Sequence, residues 1–144
     1  MSTPAENPLA WITASFQSTP ITALLGATLV SYDPETGQIV TEYDGKPEFR
    51  NLIGTIQGGI LTAMLDNAMS FAALARLGEG FRVPSLEVKT SYIAPAFPGR
   101  IVGEAKVVRA GRSIVFTQGQ LFDAEGTLIA TATATAMVRK RAEA

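Results

Sequence analysis

The chain contains no cysteine and no histidine. Without cysteine there are no disulfides and no thiol nucleophile. Without either residue the usual ligands of a zinc site and the imidazole base are gone. Ser-His-Asp and Cys-His catalysis are excluded together. Acid–base chemistry is left to Asp, Glu, Lys or Tyr, and neither a metal nor a cofactor is expected. Charge is sparse as well: 17% of residues are charged and the formal net charge is −1. That balance creates no overall field for nucleic acid or an anionic membrane, so neither is expected as a partner. The opening MSTPAENPLAWITASFQ has no basic residue ahead of its apolar positions and does not look like a signal peptide. The default location is cytoplasmic.

What the chain does have is apolar content, at 47% of 144 residues, enough for one folded domain over 1–144 with a buried core. Its charge is uneven. Residues 1–80 carry three basic and eight acidic side chains, and residues 81–144 carry nine and five. The longest uninterrupted element is the run after Gly58-Gly59, which continues without proline to Gly78. Such a run predicts a helix that is apolar nearly all round and therefore covered on most sides. One polar stripe survives on it: Thr62, Asp66 and Ser70, spaced four apart on one face. A carboxylate there needs a partner or a task, because burying an unpaired charge is costly. Asp66, Asn67, Ser70 and Arg76 also argue against a bilayer span.

Around this helix the pattern is mostly of period two. Residues 5–17 predict a short amphipathic helix docked through Trp11 and Ile12, broken by Pro20. Residues 24–44 predict a hairpin of strands 24–32 and 38–43 about the Asp33-Pro34-Glu35-Thr36-Gly37 turn, and 44–50 a polar connection. Strands follow at 85–93, 100–109, 113–122 and 127–138, with Arg139-Lys140-Arg141 in a solvated tail over 139–144. Two strands, one long helix and four more strands make an α+β fold, an antiparallel sheet around a central helix. Gly103, Ala105, Gly119 and the alanines of 130–136 leave room for close packing of sheet on helix. An open sheet edge and a helix needing further cover point to a subunit interface.

Gly58-Gly59 stands where the helix begins. The first turn offers unpaired N–H groups and a positive dipole end, which can hold a developing oxyanion. Asp66 lies eight residues on, about 12 Å along the axis. One carbonyl needs both groups within about 3 Å. If the two serve one site, they come from different chains, so the mechanism predicts an obligate dimer with two composite sites.

At these residues the chain resembles the hotdog-fold acyl-CoA thioesterases, in particular the phenylacetate-pathway-type group. Their Asn-x-x-Gly-x-x-His-Gly-Gly motif, followed by a helix with Leu-Asp, is matched in spacing by Asn51, Gly54, Gly58, Gly59, Leu65 and Asp66, with Gln57 at the His position. SLEVKTSYIAPAFPG, Ala110-Gly111-Arg112 and DAEGTLIATATAT continue the likeness, which covers about residues 20–138. The resemblance implies an acyl-CoA substrate, hydrolysed to free acid and coenzyme A, and a homodimer assembling to a homotetramer. It implies Asp66 as nucleophile or base, the Gly58 amide polarising the thioester carbonyl, and Asn51 orienting substrate or water. Ser70 and Ser85 would hold the water or the carboxylate. Gln57, Gly59, Gly111 and Arg112 would contact substrate, Arg112 by pairing with a phosphate of coenzyme A. Pocket walls are expected to include Leu61, Met64, Met69 and residues near Phe97. Gln57 departs from the motif, standing where the family has His. A carboxamide can hydrogen-bond but cannot move a proton, so the alternative is an acyl-CoA-binding hotdog protein without turnover.

Overall fold

The structure, a computed structural model, describes residues 8–142. The N-terminal helix expected over 5–17 is α1, Pro8–Gln17, and residues 5–7 lie outside the described residues. It docks as expected through Ile12, fully buried, and Trp11, half-buried and packed against the core, and Phe16 is fully buried beside them. Phe16 meets Phe71 edge-on, with ring centroids 4.7 Å apart. Residues 24–32 do not form one strand as expected. Pro20 opens a second short helix, α2, Pro20–Leu24, because its fixed φ suits the first helical position. The strand β1 is Thr28–Asp33, and β2, Gln38–Gly45, completes the hairpin. The polar connection after it contains a 3-10 turn, Pro47–Phe49.

The long helix is α3, Gly58–Leu77. It stops at Gly78, whose φ of +104° suits glycine and whose N–H donates to the Leu74 carbonyl. Six strand segments follow: β3 Phe81–Arg82, β4 Ser85–Tyr92, β5 Gly99–Ala110, β6 Ile114–Asp123, β7 Leu128–Met137 and β8 Arg139–Lys140. Among the described residues the main sheet is antiparallel, in the order β1-β2-β5-β6-β7-β4. The basic segment at 139–141 is not a free tail. Arg139 and Lys140 pair with Arg82 and Phe81, and the Arg141 N–H donates to the Gly80 carbonyl, so the backbone after α3 finds its partners there.

β4 follows α3 in the chain but pairs with the last long strand, β7. It is therefore an edge of the sheet. The alanines at 130, 132, 134 and 136 are buried on the helix side, alternating with more exposed threonines. Gly119 lets α3 approach the sheet: a Cβ there would stand 3.1 Å from Met69 Cγ and 3.3 Å from Leu65 Cδ2. By length and composition α3 resembles a membrane span, yet half of it is buried inside the fold, where it forms the core. The core lies between the sheet and α3, and α1 adds Ile12 and Phe16 to it.

Tyr43 of β2 ties sheet to helix. Its buried hydroxyl lies 2.9 Å from both the Met64 carbonyl oxygen and Asn67 Oδ1, and donates toward them. Burial pushes this phenol well above its usual range. A raised folded value leaves its stability contribution intact below the unfolded pKa, near 10. That contribution is lost as pH rises past it. Tyr43→Phe is expected to cost about 1–3 kcal/mol near neutral pH by stripping Asn67 of a partner. It is also expected to flatten the loss of stability above about pH 10, read by urea denaturation at pH 7 and at alkaline pH.

Candidate active site

The polar stripe on α3 is half-buried, whereas neighbouring Leu61, Met64, Leu65 and Met69 are almost completely covered. Asp66 has a defined partner: its Oδ1 accepts a hydrogen bond from the Ser85 hydroxyl at 2.7 Å. The route by which Ser85 reaches it depends on the strand register. Val88, Thr90 and Tyr92 pair with Ala134, Ala132 and Ala130, the helix-facing series of β7. Ser85 has the opposite parity and in a regular strand would face the other way with Glu87. The register shifts between Ser85 and Glu87, so Ser85 pairs with Ala136 and rejoins the helix-facing series. A bulge at Leu86 thus aims the serine at the carboxylate. Ser70 lies one turn beyond Asp66, and among the described residues its side chain makes no hydrogen bond.

The other end of β4 meets the other end of the stripe. The Tyr92 hydroxyl donates to the Gly58 carbonyl at 2.9 Å and lies 2.7 Å from Thr62 Oγ1. The Thr62 and Thr90 hydroxyls are 2.9 Å apart. The Tyr92 ring explains glycine at 58, since a Cβ there would come within 3.0 Å of Tyr92 Cζ. Nothing lies within 4 Å of a Cβ built on Gly59, so no internal contact demands that glycine. The Gln57 carbonyl accepts from the Ile60 and Leu61 amides. The Gly58 and Gly59 N–H groups have no acceptor among the described residues, which leaves two donors at the helix start. The exposed Gln57 side chain caps nothing.

Asn51 is largely occupied by its own loop. Its Oδ1 accepts from the Ile53 and Thr55 amides at 3.1 and 3.2 Å, and its Nδ2 donates to Thr55 Oγ1 at 2.9 Å. One amide proton is left for any other partner. The loop holds Leu52 and Ile53 outward, 102% and 81% exposed. Gly111 and Arg112 occupy the exposed β5–β6 turn. The row Ala110–Val115–Ala136–Ser85 crosses the sheet, so this turn shares its end with Ser85 and Asp66, two to three strand spacings from β4, about 10–14 Å.

The expected site residues therefore fall into two groups in one chain, Asp66 with Ser85 and the 111–112 turn, and Gly58 with Gly59, Gln57 and Asn51. Leu61, Met64 and Met69 do not line an open pocket as expected; they are packed in the core against the sheet. Phe97 is exposed. A groove of about 400 Å³ lies on the opposite face of the sheet, lined by Lys89, Glu104, Lys106 and Gln118 among others. It contains none of the expected residues, and the convergent polar contacts carry more weight than its size. Sequence reasoning missed Thr90, Tyr92 and the Leu86 bulge. The sequence carries no signal for the bulge: Ser85 falls in the polar series Ser85, Glu87, Lys89 and Ser91, and only the register turns it toward the helix.

The comparisons with known proteins agree with this architecture. Residues 53–130 match the family model described as the thioesterase superfamily. Human acyl-coenzyme A thioesterase 13 is 35% identical over 105 residues, which span 72% of this chain and 73% of that protein. A phenylacetic acid degradation-related thioesterase structure from Ralstonia eutropha superposes with a TM-score of 0.82 at 32% identity, covering 88% of this chain and 98% of the other. The PaaI protein of the E. coli phenylacetic acid degradation operon has the same fold, with a TM-score of 0.79 at 18% identity over 92% and 94% of the two chains. Fold, motif and relatives converge: the chain belongs to the thioesterase superfamily, as a hotdog-fold thioester hydrolase resembling the phenylacetate-pathway type.

Proposed function

We propose that the chain hydrolyses an acyl-CoA to the free acid and coenzyme A, at a site completed by a second copy of itself. The observation that carries this reading is the layout of β4. Its Ser85 end holds Asp66, and its Tyr92 end holds Gly58. With the bulge, these ends lie opposite β7 residues six apart, Ala136 and Ala130, about 20 Å along a strand. Among the described residues the outer edge of β4 is unpaired, and Leu86, Tyr92 and Ile93 along it are all more than half exposed. Antiparallel pairing of this edge with a copy, about a two-fold axis, sets Ser85 of one strand opposite Tyr92 of the other. Asp66 of one protomer then faces the Gly58 end of its partner, as the spacing along the helix requires.

In that arrangement the thioester carbonyl oxygen accepts from the free amides at the start of one α3. Asp66 of the partner brings the oxygen that replaces sulfur, either by taking a proton from water or by attacking to give an anhydride that water opens. Ser85 holds one carboxylate oxygen and leaves the other free. Charge building on the carbonyl oxygen meets fixed dipoles, and the thiolate of coenzyme A departs. The Gly111-Arg112 turn accompanies Asp66 on the same protomer and can meet the phosphates of coenzyme A. None of these steps asks Gln57 for a proton. Binding without turnover is the second reading, and Gln57 at the motif's His position is the observation in its favour.

Asp66→Asn keeps the shape and can still accept from Ser85, but removes the base or nucleophile. Thiol release from a panel of aryl and short-to-medium acyl-CoAs is expected to fall by about a hundredfold or more. Equal rates in wild type and variant sink the hydrolytic role of Asp66, and tight binding with no wild-type release selects the second reading. Leu86→Lys combined with Ile93→Lys places charge at both ends of the proposed seam. This double variant is expected to run in light scattering at monomer mass and to lose thiol release. A dimer of unchanged mass counts against the β4 seam.

A further inference from the structure

The Tyr92 hydroxyl does something that neither the motif nor the proposed roles require. It donates to the Gly58 carbonyl, which as the first carbonyl of α3 also accepts from the Thr62 amide one turn on. That carbonyl belongs to the Gly58–Gly59 peptide, whose other polar group is the Gly59 N–H. In a trans peptide the two groups point in opposite directions. Two donors on the carbonyl fix the direction of the N–H and, by polarising the shared unit, strengthen it as a donor. The hydroxyl is itself held, 2.7 Å from Thr62 Oγ1, which lies 2.9 Å from Thr90 Oγ1. The ring presses on Gly58, and open space surrounds the position of a Cβ on Gly59.

We infer that Tyr92 is a positioning residue, which aims and polarises the Gly59 N–H as a second oxyanion donor beside that of Gly58. The inference rests on the thioester-hydrolysis reading above. It assigns the Thr62–Thr90–Tyr92 cluster a task, and it links the donors to β4, the strand whose pairing completes the site. An edge strand displaced from its seam carries the tyrosine with it and loosens the oxyanion donors in the same movement.

The test removes one oxygen. Tyr92→Phe keeps the ring over Gly58. With the best acyl-CoA substrate, kcat is expected to fall about tenfold, the size of one net hydrogen bond, while KM stays within about twofold. A thioether analogue, which lacks the carbonyl, is expected to bind both proteins equally. Thr62→Val is expected to lower kcat in the same way, and the double variant to be no worse than Tyr92→Phe alone, because the hydroxyls act as one unit. A readout independent of activity is the amide NMR spectrum, in which the Gly59 proton is expected to move upfield in Tyr92→Phe. An unshifted Gly59 resonance overturns the inference whether or not the protein is active. Unchanged kcat in Tyr92→Phe, with Asp66→Asn inactive, overturns the inference alone. Equal losses of turnover and thioether binding also overturn it, since they mark a general structural defect. Absence of thiol release from the wild type counts instead against the reading beneath it.

Discussion

The hydrogen bond from Ser85 to Asp66 is the contact on which the rest of the arrangement depends. It answers the oldest problem in the sequence, a carboxylate on a helix that is otherwise buried in apolar surroundings. It also requires a strand at one particular edge and a bulge at one particular residue. Without the register shift at Leu86 the serine faces away from the helix and Asp66 loses this hydroxyl partner. The bond engages one carboxylate oxygen only, so the side chain is held in place with its other oxygen turned to no hydrogen-bond donor among the described residues.

A second constraint is length. α3 carries both chemical ends of the proposed site, but eight residues of helix separate them by about 12 Å, and no side chain spans that gap within one chain. β4 runs alongside with matching partners at both ends, Ser85 for Asp66 and Tyr92 for Gly58. Helix and strand thus form a unit with two dissimilar halves, and two-fold symmetry is the simplest operation that brings unlike halves together. The exposed apolar side chains on the open edge give such pairing a driving force.

Much of this was legible in the sequence. α3 was marked at both ends by glycine and along its length by an unbroken apolar run, and its observed span, Gly58–Leu77, agrees. Strands of strict alternation, such as 127–138, were readable because one face is buried and the other is not. Local punctuation was read less well. Pro20 reads as a breaker, yet proline also starts helices, and α2 is not marked in the sequence. The pairing of 139–140 with 81–82 joins segments far apart in the chain, and two-residue strands leave no periodicity to detect. In the site, Asp66 stood out because it violates its surroundings. Tyr92 did not, because a tyrosine near the end of a strand is ordinary until the fold lays its hydroxyl on Gly58. Asn51 was identified through a motif, and its engagement with its own loop became visible only in three dimensions.

In the proposed arrangement each site takes Asp66 from one protomer and the Gly58 end from the other, so two defective chains can complement each other. Asp66→Asn and Gly58→Val are each prepared alone and then unfolded and refolded together in equal amounts, with thiol release measured before and after mixing. In a mixed dimer one site receives both lesions and the other receives neither, so activity is predicted to rise from near zero to roughly a quarter of wild type. A refolded mixture no more active than its two parents, with mixed dimers demonstrated by mass, would contradict the account.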